Sequence, residues 1–331
     1  MTTASTASEQ SQARPGADRP VPGWHRLRVT RTAPAGHRAT AIWLDVPEPL
    51  RGAFAHRPGQ HVVVRSQVRG RELRRSYSLC PPPEGGPGLR LVVKYLGPGG
   101  FAEYATTTLA AGDHLELSPP RGHFTLTGQP GAHHVLIGGG SGVTPLLGIA
   151  GAALREDPRC RVSLVYANRT AQSVLLADEL SDLKDAHVQR FHMLHVLTQE
   201  AGESELLTGR IEGDRLPALL SLLAAEPDGR TQFYLCGPAG LVDGARQTLA
   251  RWGAGPERVR FELFSTGAAT SRPQPSTGPA PTGLISARLG GRTTTVPLGP
   301  QDRVVLDALL RAGRRPRTPA ATACAAAAGP R

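Results

Sequence analysis

Lysine is nearly missing from this 331-residue chain: of 38 basic residues only Lys94 and Lys184 are lysines, and the rest are arginines. The formal net charge is +11. The arginines are scattered through every segment, without the packed basic run or the RNA motif that nucleic-acid binding needs, and this excludes a nucleic-acid partner. The charge instead fits a biased base composition and a capacity for phosphate-bearing ligands. Cysteine is equally sparse. Cys80, Cys160, Cys236 and Cys324 lie far apart with no C-x-x-C pair, which argues against a disulfide framework and for a reducing cytoplasm. The opening "MTTASTASEQSQARPGADRPVPG" lacks the apolar core of a signal peptide. One uncharged stretch, residues 135–154, "VLIGGGSGVTPLLGIAGAAL", has the length of a bilayer span. Its run of three glycines, with Ser141, Gly142 and Pro145 beyond, breaks any single helix, so no membrane span is expected.

What remains is a globular composition, 39% hydrophobic and 20% charged, on a chain long enough for two ordinary domains and a small third. Residues 1–22 read as a disordered leader. From 23 to 126 short β-like runs such as "HRLRVTRTA", "ATAIWLDVP", "LRLVVKYL" and "DHLELSPP" alternate with Gly and Pro, the pattern of an antiparallel barrel. Over 127–264 the period changes, and apolar strands ("HHVLIGGG", "RVSLVYANR", "FHMLHVLT", "TQFYLCGP", "RVRFELF") alternate with amphipathic helices. That alternation predicts a parallel sheet covered on both faces. Residues 265–282, rich in Ser, Thr, Pro and Ala, mark a linker. Residues 283–313 predict a hairpin around Gly290 and Gly291 and a short helix closed by Gly313.

Three stretches carry chemistry. "RRSYSL" ends a β-run, and "VVKYLGPGGFAEY" follows it, with Val93 and Lys94 closing a second strand that enters a glycine loop. Together they can hold an aromatic ring and a pyrophosphate. Tyr77 offers a stacking face, Arg75 a phosphate fork, and the amides of Gly99, Gly100, Phe101 and Ala102 further anion contacts. In "VLIGGGSGVTPLLG" a strand, a glycine turn and a helix favour a pyrophosphate at the turn, with Thr144 expected as the helix cap and Pro145 at the first helical position. The spacing is not G-x-G-x-x-G, and a tight structural turn is the alternative. In "FYLCGPAGLVDGA" Cys236 stands at the carboxyl end of an apolar strand, where open α/β sheets bind ligands, although a lone cysteine is more often inert core.

R-x-Y-S, GGG-x-G-x-TP and CGP in this order resemble the ferredoxin–NADP reductase superfamily of FAD enzymes over residues 24–264. The resemblance implies an antiparallel FAD-binding β-barrel, then a doubly wound parallel-sheet NAD(P)-binding domain. It assigns Arg75 to FAD phosphate, Tyr77 to packing on the flavin and Ser78 to a hydrogen bond near flavin N5. Gly139, Gly140, Gly142 and Thr144 go to NAD(P)H pyrophosphate, and Cys236, with Gly237 and Pro238, to the nicotinamide side. Tyr77, Ser78 and Cys236 are the expected catalytic residues. The implied reaction passes hydride from NAD(P)H to FAD, which then releases electrons singly. Ala102 stands where the family offers a hydroxyl to FAD, so weaker retention is expected, by about 1.5–3 kcal/mol. Arg169 ends its strand with no acid directly after it, which suits a 2′-phosphate; NADPH is expected, with NADH the alternative.

The unit at 283–313 resembles an incomplete β-grasp, the plant-type ferredoxin appended in reductase subunits of bacterial oxygenases, those of the phenylacetyl-CoA epoxygenase type above all. A [2Fe–2S] cluster of that class takes four cysteines, three of them in C-x4-C-x2-C spacing. After Gly313 only Cys324 remains, so no metal ligand set is expected here. The Ala/Pro/Arg-rich residues 314–331 fit a reading-frame shift near Arg314, or a natural disordered tail. The expected partners are NAD(P)H and an oxygenase as electron acceptor. A stand-alone flavin reductase or diaphorase, and a non-enzymatic FAD-binding regulatory subunit, are the alternatives.

Overall fold

The computed structural model describes residues 23–68, 70–81, 86, 88–264, 284–289, 292–297, 308–309 and 311–312. They fall into two units, one within Met1–Ala268 and one within Ala269–Arg331. The leader, the linker, Gly290 and Gly291, Gly313, Cys324 and the tail lie outside the described residues.

The first unit begins with β1 (His25–Pro34), β2 (Ala39–Leu44), α1 (Arg51–Phe54), β3 (His61–Val68), β4 (Arg71–Ser78), β5 (Leu89–Lys94), α2 (Phe101–Thr107) and β6 (His114–Leu117). Alternation builds the barrel: on β1, Leu27 and Val29 are buried while Arg26, Arg28 and Thr30 face out. The six strands run antiparallel in the order β4-β3-β6-β1-β2-β5. A bridge between Leu79 and Leu91 and the 3.0 Å bond from Cys80 N–H to Arg90 O draw the two ends of that order together.

The chain then lays down β7 (His133–Gly139), α3 (Val143–Glu156), β8 (Arg161–Asn168), α4 (Ala177–Ala186), β9 (Phe191–Leu197), α5 (Arg215–Leu222), β10 (Thr231–Gly237), α6 (Ala239–Arg251) and β11 (Val259–Leu263). All the strands pair in parallel, in the order β11-β10-β7-β8-β9. Every residue of β7 and β10 is buried, as a sheet covered on both faces requires. Strand order reverses between β7 and β10, the point where such sheets open a crevice at their carboxyl ends. Among the described residues no helix is long and apolar enough to cross a membrane.

One expectation is corrected. Thr144 is not the cap of α3 and Pro145 is not its first residue: the helix starts at Val143 with Gly142 as its cap. A 3-10 turn, Gly140–Gly142, runs directly into the helix. Pro145 therefore sits at the third position, where its missing N–H still costs no intrahelical bond, and the Thr144 hydroxyl donates to Ser141 O at 3.0 Å.

In the second unit β12 (Leu284–Leu289) and β13 (Arg292–Pro297) pair antiparallel, with Leu289 opposite Arg292, in agreement with the expected hairpin. Val296 packs there with Ala308 and Leu309.

Within the first unit, barrel and sheet are joined by a buried charge. Arg90 of β5 is 1% exposed, and its guanidinium grips the Glu179 carboxylate of α4 in two bonds of 2.8 and 2.6 Å. The same group donates to Cys80 Sγ at 3.0 Å. Removing one partner of a buried pair strands the other without compensation. Arg90→Ala is expected to cost about 3 kcal/mol, the low end of the usual range because Glu179 keeps some solvent; the urea unfolding midpoint measures it.

His133 and His134, which open β7, are both held neutral, their pKa values pushed down to about 4 chiefly by burial. The unfolded chain takes up these protons near pH 6.5 and the folded chain only near 4, so stability is full above 6.5 and drains away between the two. The thermal midpoint should fall across that window, and His134→Gln, which carries no titratable proton, should make the fall shallower.

Candidate active site

The carboxyl ends of β7 and β10 meet without side chains between them. A Cβ on Gly142 would run into the Cys236 carbonyl, and one on Gly237 would press on Gly139 N at 3.0 Å. The glycine turn and the CGP stretch are thus locked backbone to backbone at the point where strand order reverses. Cys236 itself is fully buried, and burial, with Glu262 nearby, pushes its thiol well above the usual range. It remains a neutral thiol.

From the barrel, β4 brings Tyr77 and Ser78 to this edge. The Tyr77 ring is half-buried and tilts against Phe101 at 5.5 Å between centroids. Its phenol is pushed upward by burial, against the opposing pull of Arg75. Ser78 is buried, and its hydroxyl donates to Glu262 of β11 at 3.3 Å. The other oxygen of Glu262 lies 2.9 Å from Nδ1 of His61, the residue opposite Ser78 in the β3–β4 ladder. Glu262 also sits beside Cys236 in the β10–β11 register. Of the three expected catalytic residues, Ser78 and Cys236 are therefore gathered around one carboxylate, while Tyr77 lies beside them on β4. Glu262 and His61 were missed in the sequence. The only signal was an acid set in the apolar closing strand "FELF".

The remaining residues divide into two groups. Val93 and Phe101 are buried in the barrel core, so their side chains are packed away from any ligand. Arg75 is exposed, bonded through Nη1 to the Arg74 carbonyl at 2.9 Å, and among the described residues no carboxylate pairs with it. The Gly99 N–H is engaged at 2.7 Å by Glu103 of its own loop, whereas a Cβ on Gly100 would meet nothing within 4 Å. Ala102 is half-buried and contributes no hydroxyl. The Thr144 hydroxyl is turned onto Ser141, and Pro238 packs against Gly139.

A cation from the barrel closes on the glycine turn. Gly140 adopts φ +53°, and a Cβ built there would lie 3.6 Å from Lys94 Nζ, at the end of β5. Lys94 is half-buried; burial first and then Arg169, beyond the end of β8, hold its pKa below the usual lysine range. No carboxylate pairs with Lys94 among the described residues. A half-buried ammonium beside a second cation and a glycine turn is a place for an anion. The fold also brings up an acid that strand order alone does not show: Glu200 accepts from Ala171 N–H at 2.6 Å, two residues past Arg169.

These features fit a dinucleotide flavin on the barrel side. The half-buried ring, the unpaired Arg75 fork and the open loop at Gly100 suit an isoalloxazine and a diphosphate. They do not fit an iron–sulfur cluster. Three of the chain's four cysteines, Cys80, Cys160 and Cys236, are separately buried in the first unit, and no group of three metal-ligating side chains occurs among the described residues.

Residues 28–126 match the oxidoreductase FAD-binding domain family, and residues 136–247 match the oxidoreductase NAD-binding domain family. One component of the 1,2-phenylacetyl-CoA epoxidase of Escherichia coli (strain K12) is 35% identical over 296 residues, covering 88% of this chain and 81% of that protein. The ferredoxin reductase component of 3-ketosteroid-9-alpha-monooxygenase from Mycobacterium tuberculosis (strain CDC 1551 / Oshkosh) is 30% identical, covering 81% of this chain and 72% of that one. Among solved structures, the Amycolatopsis cytochrome P450 reductase GcoB superposes with a TM-score of 0.61 at 30% identity, covering 73% of this chain and 70% of that chain. The chain belongs to the ferredoxin reductase family of FAD- and NAD-binding oxidoreductases. It is an NAD(P)H-dependent FAD oxidoreductase that transfers electrons from the nicotinamide nucleotide.

The backbone lock at Gly142 yields a direct expectation. Gly142→Ala overpacks the junction with Cys236 and should cost about 1–3 kcal/mol, read as a lowered unfolding midpoint in differential scanning calorimetry.

Proposed function

We propose that the chain is the reductase component of an oxygenase system in the cytosol, with an oxygenase acting on a phenylacetyl-CoA-type thioester as its electron acceptor. The observation that carries the reading is the placement of Lys94, from the barrel, over Gly140 of the Gly139–Gly142 turn, with the Arg169 charge near Lys94 from beyond the end of β8. The turn would receive the diphosphate of NAD(P)H. On the barrel side Arg75 would hold the FAD phosphates, Tyr77 would pack on the flavin, and the Ser78 hydroxyl, anchored by Glu262, would hydrogen-bond to it. FAD, when bound, converts a two-electron hydride donor into a source of single electrons. The protein's share is to orient the two rings and exclude water, with Cys236 kept protonated so that no extra negative charge sits near them.

The preferred nucleotide in this reading is NADPH. Arg169 is exposed and lies near Lys94, while the Glu200 carboxylate is already engaged by the Ala171 amide. A 2′-phosphate there meets net positive charge. The similarity to epoxidase and monooxygenase reductase components supports the choice of an oxygenase as acceptor. The described residues of the second unit hold no cysteine.

Purified protein supplied with FAD should show flavin absorption bands that bleach anaerobically on adding NADPH, at about tenfold lower concentration than NADH requires. Arg169→Ala should erase that preference, because a charge-assisted bond contributes about 1.5–3 kcal/mol. Protein that stays colourless after reconstitution sinks the whole reading. Bleaching that favours NADH sinks only the choice of nucleotide.

A further inference from the structure

Tyr166, third from the carboxyl end of β8, was no part of the expected site. It is completely buried, and its hydroxyl serves two backbone groups at once. It donates to Gly140 O at 2.9 Å and accepts from Leu175 N–H at 3.2 Å. Burial pushes the phenol far above the ordinary tyrosine range, so it stays a donor at every working pH.

The first bond has a geometric consequence for the glycine turn. In a planar trans peptide the carbonyl and the following N–H point in opposite directions. The Gly140 carbonyl is held inward by Tyr166, and Val143 N–H donates to the same oxygen. The Ser141 N–H is therefore turned outward. Gly140 sits at φ +53°, and a glycine visits positive and negative φ about equally, so the turn has other conformations to adopt unless something fixes it. The hydroxyl supplies that constraint from below, and Lys94 lies over the turn from the barrel side.

The second bond leads away from the turn toward the barrel. Leu175 and Leu176 are buried, and Leu176 is left-handed at φ 57° where α4 begins. One turn on, Glu179 is gripped by Arg90, which also donates to Cys80, two residues past Ser78. One phenol thus ties the turn at β7 to the segment by which α4 is clamped to the barrel.

We infer that Tyr166 is a positioning residue for nucleotide binding: its hydroxyl presets the Gly140–Ser141 peptide so that an N–H faces the diphosphate of the incoming nucleotide. The inference rests on the reading that this turn receives that diphosphate. Tyr166 is completely buried, so its part is to position the turn and not to touch a ligand.

The test is Tyr166→Phe in the full-length, FAD-reconstituted protein, with affinity for NADP+ measured by isothermal titration calorimetry. The ring and its packing remain and only the hydroxyl goes. The dissociation constant should rise about 5- to 15-fold, as loss of one hydrogen bond implies. Flavin content should be unchanged, and the limiting rate of flavin reduction at saturating NADPH should stay within about twofold. An unchanged dissociation constant overturns the inference. So does a weakening accompanied by comparable loss of flavin and thermal stability, because that marks a merely structural tyrosine. Lys94→Ala separates the two levels of the argument. If it weakens NADP+ binding while Tyr166→Phe does not, only the role of Tyr166 fails. If neither variant changes NADP+ binding, the assignment of the turn fails with it.

Discussion

The structure of the first unit depends on a guanidinium that has left water. A lone buried cation is costly, and Arg90 is tolerated only because Glu179, from the other half of the unit, supplies both carboxylate oxygens. Barrel and sheet each bury an apolar core, and a third cluster runs across both, with Ala41, Val92 and Phe124 of the barrel half beside Leu136, Leu146 and Leu175 of the sheet half. Apolar contact alone fixes no unique angle between two such bodies. A bidentate pair of this kind is directional, and it sets α4 against β5.

Within this frame the site is assembled from chain ends and turns. Strand β4 delivers Tyr77 and Ser78 at its last two residues, β5 delivers Lys94 at its last, and β7 and β10 each end in glycines. Side chains at such positions stand at the rim of barrel or sheet, on strands held by their ladder neighbours. The chemistry expected of the family needs that fixed support. The surplus of arginine over lysine has a local meaning too: planar forks occupy the buried and bidentate positions, as at Arg90, whereas Lys94 sits where a compact charge fits beneath a backbone turn.

The sequence was most informative where physics is local. Short β-like runs punctuated by Gly and Pro marked the barrel, continuous apolar runs flanked by glycine marked β7 and β10, and both motifs at their carboxyl ends were visible as strings. The start of α3 was misjudged because the rule consulted was side-chain capping. Here a 3-10 turn of glycines feeds the helix directly, and nothing in the residue types distinguishes that from a Thr144 cap. The contacts that join the halves were invisible for a different reason. Arg90 and Glu179 are 89 residues apart, Ser78 and Glu262 are 184 apart, and no pattern of either segment names the other. Tyr166 was read as an ordinary apolar strand residue, which it is, apart from one oxygen atom.

The bond between Ser78 and Glu262 also orders events in time. A barrel emerging from the ribosome has every strand it needs once β6 is out, but Ser78 has no acceptor until β11 follows. At typical synthesis rates of about 5–20 residues per second, the stretch from Leu117 to Glu262 represents roughly 7–29 seconds. Throughout that interval the rim of the barrel lacks its carboxylate. A flavin held at that rim in its final hydrogen-bonding environment therefore reports a polypeptide finished at least as far as its eleventh strand.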